Sequence, residues 1–262
     1  MSSRLDNLQN KNYLIFILIS IVIVYLIANV IHQEEFPIND RWFMTDLLLM
    51  ASSFIVIIFG FLLSLKYKAR ENNGIAWILF TLAMSCWFIG EYAYSYENEY
   101  DTEDLSTLLP DFFYIIGYPL VLGFMIFYLK PRKDIITKKM ILASSLFSLV
   151  VVFPSLYITF DSVRDVDAFT LFLYAIYPIL DGIILIPAIV AVFLFFRGQV
   201  NLLWTMILFG ILLNVIADTA YLFFSLDKTF YAGHPINILY VWSYVMYGFG
   251  ALSHLKLFKK SK

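Results

Sequence analysis

The chain has 262 residues, 61% of them hydrophobic and 19% aromatic, with a mean hydropathy of +0.79. Soluble domains are roughly 45–50% apolar, so this composition excludes a water-soluble globular protein. A formal net charge of −2 leaves no basic excess for nucleic acid, and a lone cysteine, Cys86, excludes a disulfide framework and a thiolate metal cluster.

Stretches of about 20 apolar residues, the length that crosses a ~30 Å hydrocarbon core, fall near 13–31, 43–65, 75–95, 107–129, 137–158, 168–196, 201–225 and 235–257. The first follows Lys11 but has no small-x-small cleavage site after it, so it reads as a retained helix and not a secretory signal. The second carries Asp46 near its outer end. The third lines up Trp87, Glu91 and Tyr94, with Cys86 expected as a small apolar residue. The fourth opens with Asp111, Tyr114 and Tyr118 and is expected to kink at Pro119. The sixth presents Tyr174, Tyr177 and Asp181, with Pro178 and Pro187 as further kinks. The seventh aligns Asn214, Asp218 and Tyr221, and the eighth Asn237, Tyr240, Tyr244 and Tyr247. Residues three, four and seven apart share a helix face. Five spans therefore each carry one polar-aromatic stripe, expected to face the bundle interior because ionisable groups are costly in lipid.

Lysine and arginine concentrate in cytoplasmic loops. An N-terminus placed inside puts Arg4, Lys11, Lys66, Lys68, Arg70, Lys130, Arg132, Lys133, Lys138, Lys139, Arg197, Lys256, Lys259, Lys260 and Lys262 in the cytoplasm, leaving only Arg41, Arg164 and Lys228 outside. The outer loops collect Glu34, Glu35, Asp40, Glu97, Glu99, Asp101, Glu103, Asp104, Asp161, Asp165, Asp167 and Asp227. Both termini are then cytoplasmic in a multi-pass protein of the cell membrane. Trp42, Tyr96, Tyr100, Tyr157 and Tyr231 fit an interfacial aromatic belt, and the tail from Lys256 to Lys262 is expected to meet anionic lipid.

The halves echo each other. Gly90-Glu91-Tyr92-Ala93-Tyr94 matches Ala217-Asp218-Thr219-Ala220-Tyr221, a carboxylate with tyrosine three residues on. Asp111, Tyr114 and Tyr118 match Asn237, Tyr240 and Tyr244, with tyrosines at +3 and +7. Two four-helix repeats, about 1–133 and 134–262, running in the same direction, are expected to form a single transmembrane domain.

Counted from the outer helix ends, Glu91 and Asp218 lie on the order of 8–11 Å deep and Asp181 roughly 18–20 Å deep. Their shared outer location implies an outward-facing acidic pocket lined by Tyr94, Tyr114, Tyr118, Tyr177, Tyr221, Tyr240 and Tyr244, with Asp111 and Asn214 at its edge. Tyrosine rings attract cations and their hydroxyls donate hydrogen bonds, so the expected ligand is small and cationic or amphipathic. The same acids also fit a bundle fastened by tyrosine hydroxyls.

Other chemistries lack their residues. His32, His234 and His254 are too scattered for a shared metal site. No lysine lies inside the last two spans for a retinal Schiff base, and neither a serine-hydrolase elbow nor a phosphate-binding glycine loop occurs. No cofactor is expected.

The stretches Tyr177-Pro178-Ile179-Leu180-Asp181-Gly182, Ala217 to Tyr221, and Ile238-Leu239-Tyr240-Val241-Trp242-Ser243-Tyr244, with Gly90-Glu91 and Pro110 to Pro119 in the first half, resemble the eight-span membrane sensor regions of prokaryotic signalling proteins. There the membrane region precedes a diguanylate cyclase or histidine kinase. The resemblance covers a little over half the chain and implies a sensor or receptor. This sequence ends at Lys262 without an output domain, so a stand-alone module signalling through a separate cytoplasmic protein is expected. The Asp218 region and the Tyr240/Tyr244 helix also look similar to the last two spans of the lysoplasmalogenase family, which implies an intramembrane lipid hydrolase with paired carboxyls as acid and base; the early lysine of that family is not evident. A cation or amine carrier is a third reading, with the acids as counter-charges. The sequence thus predicts an all-α polytopic bundle of eight transmembrane helices with an outward acidic site.

Overall fold

The structure is a computed structural model that describes residues 15, 17–27, 38–100, 108–162, 168–196, 198, 200–231 and 233–257. Arg4, Lys11, His32, Glu34, Glu35, Asp101, Glu103, Asp104, Arg164, Asp165, Asp167, Arg197, Lys259, Lys260 and Lys262 lie outside the described residues, as do the side chains of Asp40, Arg41, Trp42, Glu97, Glu99 and Tyr100.

Among the described residues all regular structure is helical: α1 (Ile17–Ile27), α2 (Ile38–Lys66), α3 (Asn72–Tyr100), α4 (Leu108–Leu129), a 3-10 turn (Lys130–Ile135), α5 (Lys138–Ser162), α6 (Ala168–Phe195), α7 (Asn201–Leu226) and α8 (Asn237–Leu257). Six of them, α2 to α7, contain segments long and apolar enough to cross a membrane. The 21-residue α8 is interrupted by Tyr240, Ser243, Tyr244, Ser253 and His254, and α1 is described over a shorter run. The second to seventh predicted spans overlap α2 to α7, while the first lies partly outside the described residues and the eighth overlaps the less apolar α8. Pro131 follows α4 in the 3-10 turn, and Thr137 caps α5 by accepting the Met140 N–H at 3.2 Å.

Six helices close into a ring in the order α2, α3, α4, α6, α7, α8 and back to α2, each packed against the next. The α5 helix lies outside the ring against α6 and α7. The α1 helix lies outside against α7 and α8, where Ile17 packs with Met206 and Met246. The ring encloses no pore: Trp77, Trp204, Phe80, Phe124, Met84, Met125, Ile184 and Leu185 fill it and are fully buried. Its exterior carries Phe54, Phe61, Ile126, Leu149, Val150, Phe153, Phe160, Ile183, Phe209 and Ile216, all exposed. An apolar surface that wide belongs in a hydrocarbon solvent, where every backbone polar group must be satisfied internally.

Proline and glycine positions show how that requirement is met. Pro178 lacks an N–H, which deprives the Tyr174 carbonyl of its helical partner; the buried Thr159 hydroxyl of α5, which donates to the Ser155 carbonyl at 3.0 Å, lies 3.5 Å from that carbonyl and shares its proton with it. Near the Pro119 kink, the Trp87 indole N–H donates to the Tyr114 carbonyl at 3.1 Å. Gly117 makes this contact possible, since a Cβ there would lie 2.0 Å from Trp87 Nε1. Gly90 similarly receives the Tyr114 ring and Gly210 the Tyr247 ring. These notches bring α3 onto α4 and α7 onto α8, aiming the tyrosines of α4 and α8 inward.

Candidate functional site: a carboxyl–tyrosine layer inside the ring

The predicted polar stripes do converge within the ring. Glu91 on α3 accepts from the Tyr114 hydroxyl of α4 at 3.0 Å and from the Tyr244 hydroxyl of α8 at 3.1 Å, one on each carboxylate oxygen. Asp218 on α7 accepts from the Tyr240 hydroxyl of α8 at 2.6 Å and lies 3.4 Å from the Tyr118 hydroxyl of α4. The arrangement is crosswise. Each carboxyl takes the first tyrosine of the helix that follows it and the second tyrosine of the equivalent helix in the other half.

Asp181 on α6 adds a third carboxyl. It is 1% exposed, it accepts from Tyr118 at 2.9 Å, and it is in hydrogen-bonding contact with Asp218. Tyr118 has one hydroxyl proton, and ionised carboxylates only accept. Asp181 and Asp218 therefore have two tyrosine donors, Tyr118 and Tyr240, between them, and their mutual contact is a hydrogen bond only when one of the two carries a proton, whereas Glu91 has a hydroxyl for each oxygen. Depth counted along the helices separates Asp181 from Asp218, yet their side chains are in contact.

The remaining predicted residues surround this centre. Tyr177 donates to Asp111, tying α6 to α4 at the outer edge of the layer. Asn214 donates to the Tyr247 hydroxyl at 3.2 Å, and Tyr221 is hydrogen-bonded to Tyr94 and Ser225. Ser95 donates to the buried Asp46 at 2.7 Å. The polar groups are thus drawn together, but they are packed against one another. Two recesses lie elsewhere, along α5: one lined by Phe153, Leu156, Tyr157, Phe160 and Asp161, the other between α5 and α7.

Sequence reasoning missed a second layer nearer the Lys66 end of the ring. Trp77 and Trp204 are fully buried, and their N–H groups have no hydrogen-bond acceptor among the described residues. Tyr128 touches both rings edge-on, at 6.4 and 5.0 Å between centroids. His254 stacks on Trp77 at 5.3 Å, and its Nε2 lies 2.7 Å from the Tyr67 hydroxyl at the end of α2. Register could have found this layer. Trp77 and Trp204 precede Glu91 and Asp218 by the same interval, and Tyr128 and His254 follow Asp111 and Asn237 by the same interval. As an isolated histidine near a chain end, His254 gave no other signal.

Fold and site together define an all-α bundle with the composition and exterior of a polytopic membrane protein, carrying a buried carboxyl–tyrosine layer. No protein family is matched by the chain, and no curated protein and no solved structure is significantly similar to it.

Proposed function

We propose that the chain is an integral membrane receptor or sensor module with eight spans and cytoplasmic termini, and that its ligand is a small cationic or amphipathic molecule engaging the carboxyl–tyrosine layer from the outer side. The observation that carries this reading is the contact between Asp181 and Asp218. The two carboxyls share the Tyr118 hydroxyl and hydrogen-bond to each other only when one is protonated; with both ionised, an ammonium group supplies the N–H donors and the charge that the shared proton otherwise provides. Cost favours a working site over a fastener. A charged carboxyl in a span costs about 2.5–3.5 kcal/mol on insertion scales, while an interhelical hydrogen bond returns about 0.6 kcal/mol on average. One or two tyrosine bonds per acid leave a charged layer unfavourable as a fastener alone.

The crosswise bonding also supports duplication, with repeats at about 1–133 and 134–262. A tyrosine pattern shared by two halves produces this pairing when the halves face each other across an axis along the membrane normal. A ligand that displaces Tyr118 or Tyr244 breaks bonds between the halves and shifts their relative position. That movement would pass to a separate cytoplasmic signalling protein.

The test is thermal melting of the purified protein against a panel of amines, inorganic cations and lyso-lipids, on wild type and on Asp181→Asn/Asp218→Asn. A ligand at about a hundred times its Kd adds roughly 2.7 kcal/mol. A shift confined to wild type supports the reading, and none with any compound ends it.

The recess between α5 and α7 favours a second reading, a lipid hydrolase. It measures about 400 Å³ and is lined by Val215, Ile216, Thr219 and Ala220 on either side of Asp218 in sequence, which suits an acyl chain. Paired carboxyls in one contact provide an acid and a base. Consumption of a lyso-lipid, abolished by Asp218→Asn, would establish it over the receptor.

A further inference from the structure

The α4–α5 connection concentrates positive charge. Lys130, Arg132, Lys133, Lys138 and Lys139 fall within ten residues, all exposed, with Asp134 the only acid among them. Lys68 pairs with Glu71 at 4.0 Å, elsewhere on the same end of the bundle. Lys130 rests over the Phe127 ring, 5.4 Å from its centre, and so stays close to the membrane-embedded body of α4.

Helix polarity compounds the excess. The positive end of a helix dipole is stabilised by anions, yet the first turn of α5 has no acid and begins with Lys138 and Lys139. Thr137 caps the Met140 N–H, while the N–H groups of Lys138 and Lys139 have no acceptor among the described residues. Cations, free backbone donors and the dipole all point to one anion. Ile135, Ile141 and Leu142 are exposed beside them, at 54%, 47% and 61%. A headgroup-level cation cluster next to bare apolar side chains fits an anion that carries its own hydrocarbon.

We infer that the segment from Lys130 to Leu142 is a binding surface for an anionic glycerophospholipid, with the phosphate held by Arg132, Lys133 and the start of α5 and the acyl chains lying along Ile141 and Leu142. The inference is independent of the receptor reading. It concerns a different end of the bundle and survives if the carboxyl layer proves inert.

The test is a native mass-spectrometry titration of the full chain in neutral detergent with phosphatidylglycerol, with phosphatidylcholine as the neutral comparison. Each basic residue near an anionic surface contributes about 1 kcal/mol, or roughly fivefold in affinity. Arg132→Gln/Lys133→Gln/Lys138→Gln should weaken phosphatidylglycerol retention by on the order of a hundredfold. All three side chains are exposed, so the melting temperature without lipid should stay put. Lys66→Gln/Lys68→Gln/Arg70→Gln, which removes as much charge from the α2–α3 connection at the same end, should retain the lipid and so exclude a diffuse charge effect. Equal binding of the two lipids overturns the inference. So does unchanged retention in the first variant, or stabilisation by soluble glycerol phosphate equal to that by the lipid.

Discussion

The Tyr118 hydroxyl of α4 donates to Asp181 of α6 at 2.9 Å while lying 3.4 Å from Asp218 of α7, so one proton spans three helices. Tyr118→Phe keeps the ring, which packs edge-on against Trp87 and Tyr177, and removes only the hydroxyl. Leaving a buried acceptor unpaired costs about 1–3 kcal/mol. The variant should melt lower by that amount, and a double-mutant cycle with Asp181→Asn should show a coupling of about 0.5–3 kcal/mol. Independent effects would mean that Tyr118 does not bridge the pair.

The two kinds of carboxyl should answer differently to amidation. Asp181→Asn puts a permanent N–H2 donor where two touching carboxyls otherwise have to share a proton, so the variant should be at least as heat-stable as wild type and should lose its ligand-induced shift. Glu91 already holds a hydroxyl on each oxygen. Glu91→Gln sets an amide N–H2 against one of those hydroxyls and should lower stability by about 1–2 kcal/mol. Melting curves of the two variants, with and without ligand, separate these outcomes; matching losses of stability would remove the shared-proton argument.

Helix positions were legible because a membrane span is a long unbroken apolar run, and the inward stripes were legible because tyrosines and acids recur at +3, +4 and +7. The pairings were not. The +7 tyrosines, Tyr118 and Tyr244, bond across to the opposite half, and nothing within one helix encodes which helices meet across the ring. The contact between Asp181 and Asp218 was hidden for the same reason. The Trp77 and Trp204 layer was hidden because buried tryptophans in an aromatic-rich chain look like ordinary core, and only their matched register with Glu91 and Asp218 distinguishes them.

Close helix contact rests on glycine at two notches. A methyl group at Gly117 would stand 2.0 Å from Trp87 Nε1, and one at Gly210 would stand 2.4 Å from the Tyr247 ring. Both neighbours are buried rings with little room to move. Overpacking of this kind costs about 1–3 kcal/mol, outweighing the ~1 kcal/mol that Gly→Ala returns in helix propensity. Gly117→Ala and Gly210→Ala should each melt lower than wild type. Gly182→Ala, whose added carbon meets Ser148 and Val152 at 3.4 Å or more, should not. Equal tolerance of all three would mean that α3–α4 and α7–α8 are not held at these contacts.

The contact between Tyr67 and His254 makes an alkaline prediction. Tyr67 follows α2 in the α2–α3 connection, and burial, with the nearby Glu71 charge adding to it, pushes its hydroxyl from the ordinary 10.0 up to about 12. The folded state therefore holds this proton more tightly than the unfolded chain does. Its contribution is complete below pH 10, is lost as the pH climbs through about 12, and is absent above that, because the unfolded chain gives up the proton first. Tyr67→Phe removes the hydrogen bond to His254 Nε2 and the titration together. At neutral pH the variant should be less stable by about 1 kcal/mol, and the gap to wild type should close between pH 10 and 12 in short-incubation unfolding measurements at constant temperature. A gap that stays constant over that range would show that the Tyr67 proton is no better held in the folded protein than in the unfolded chain.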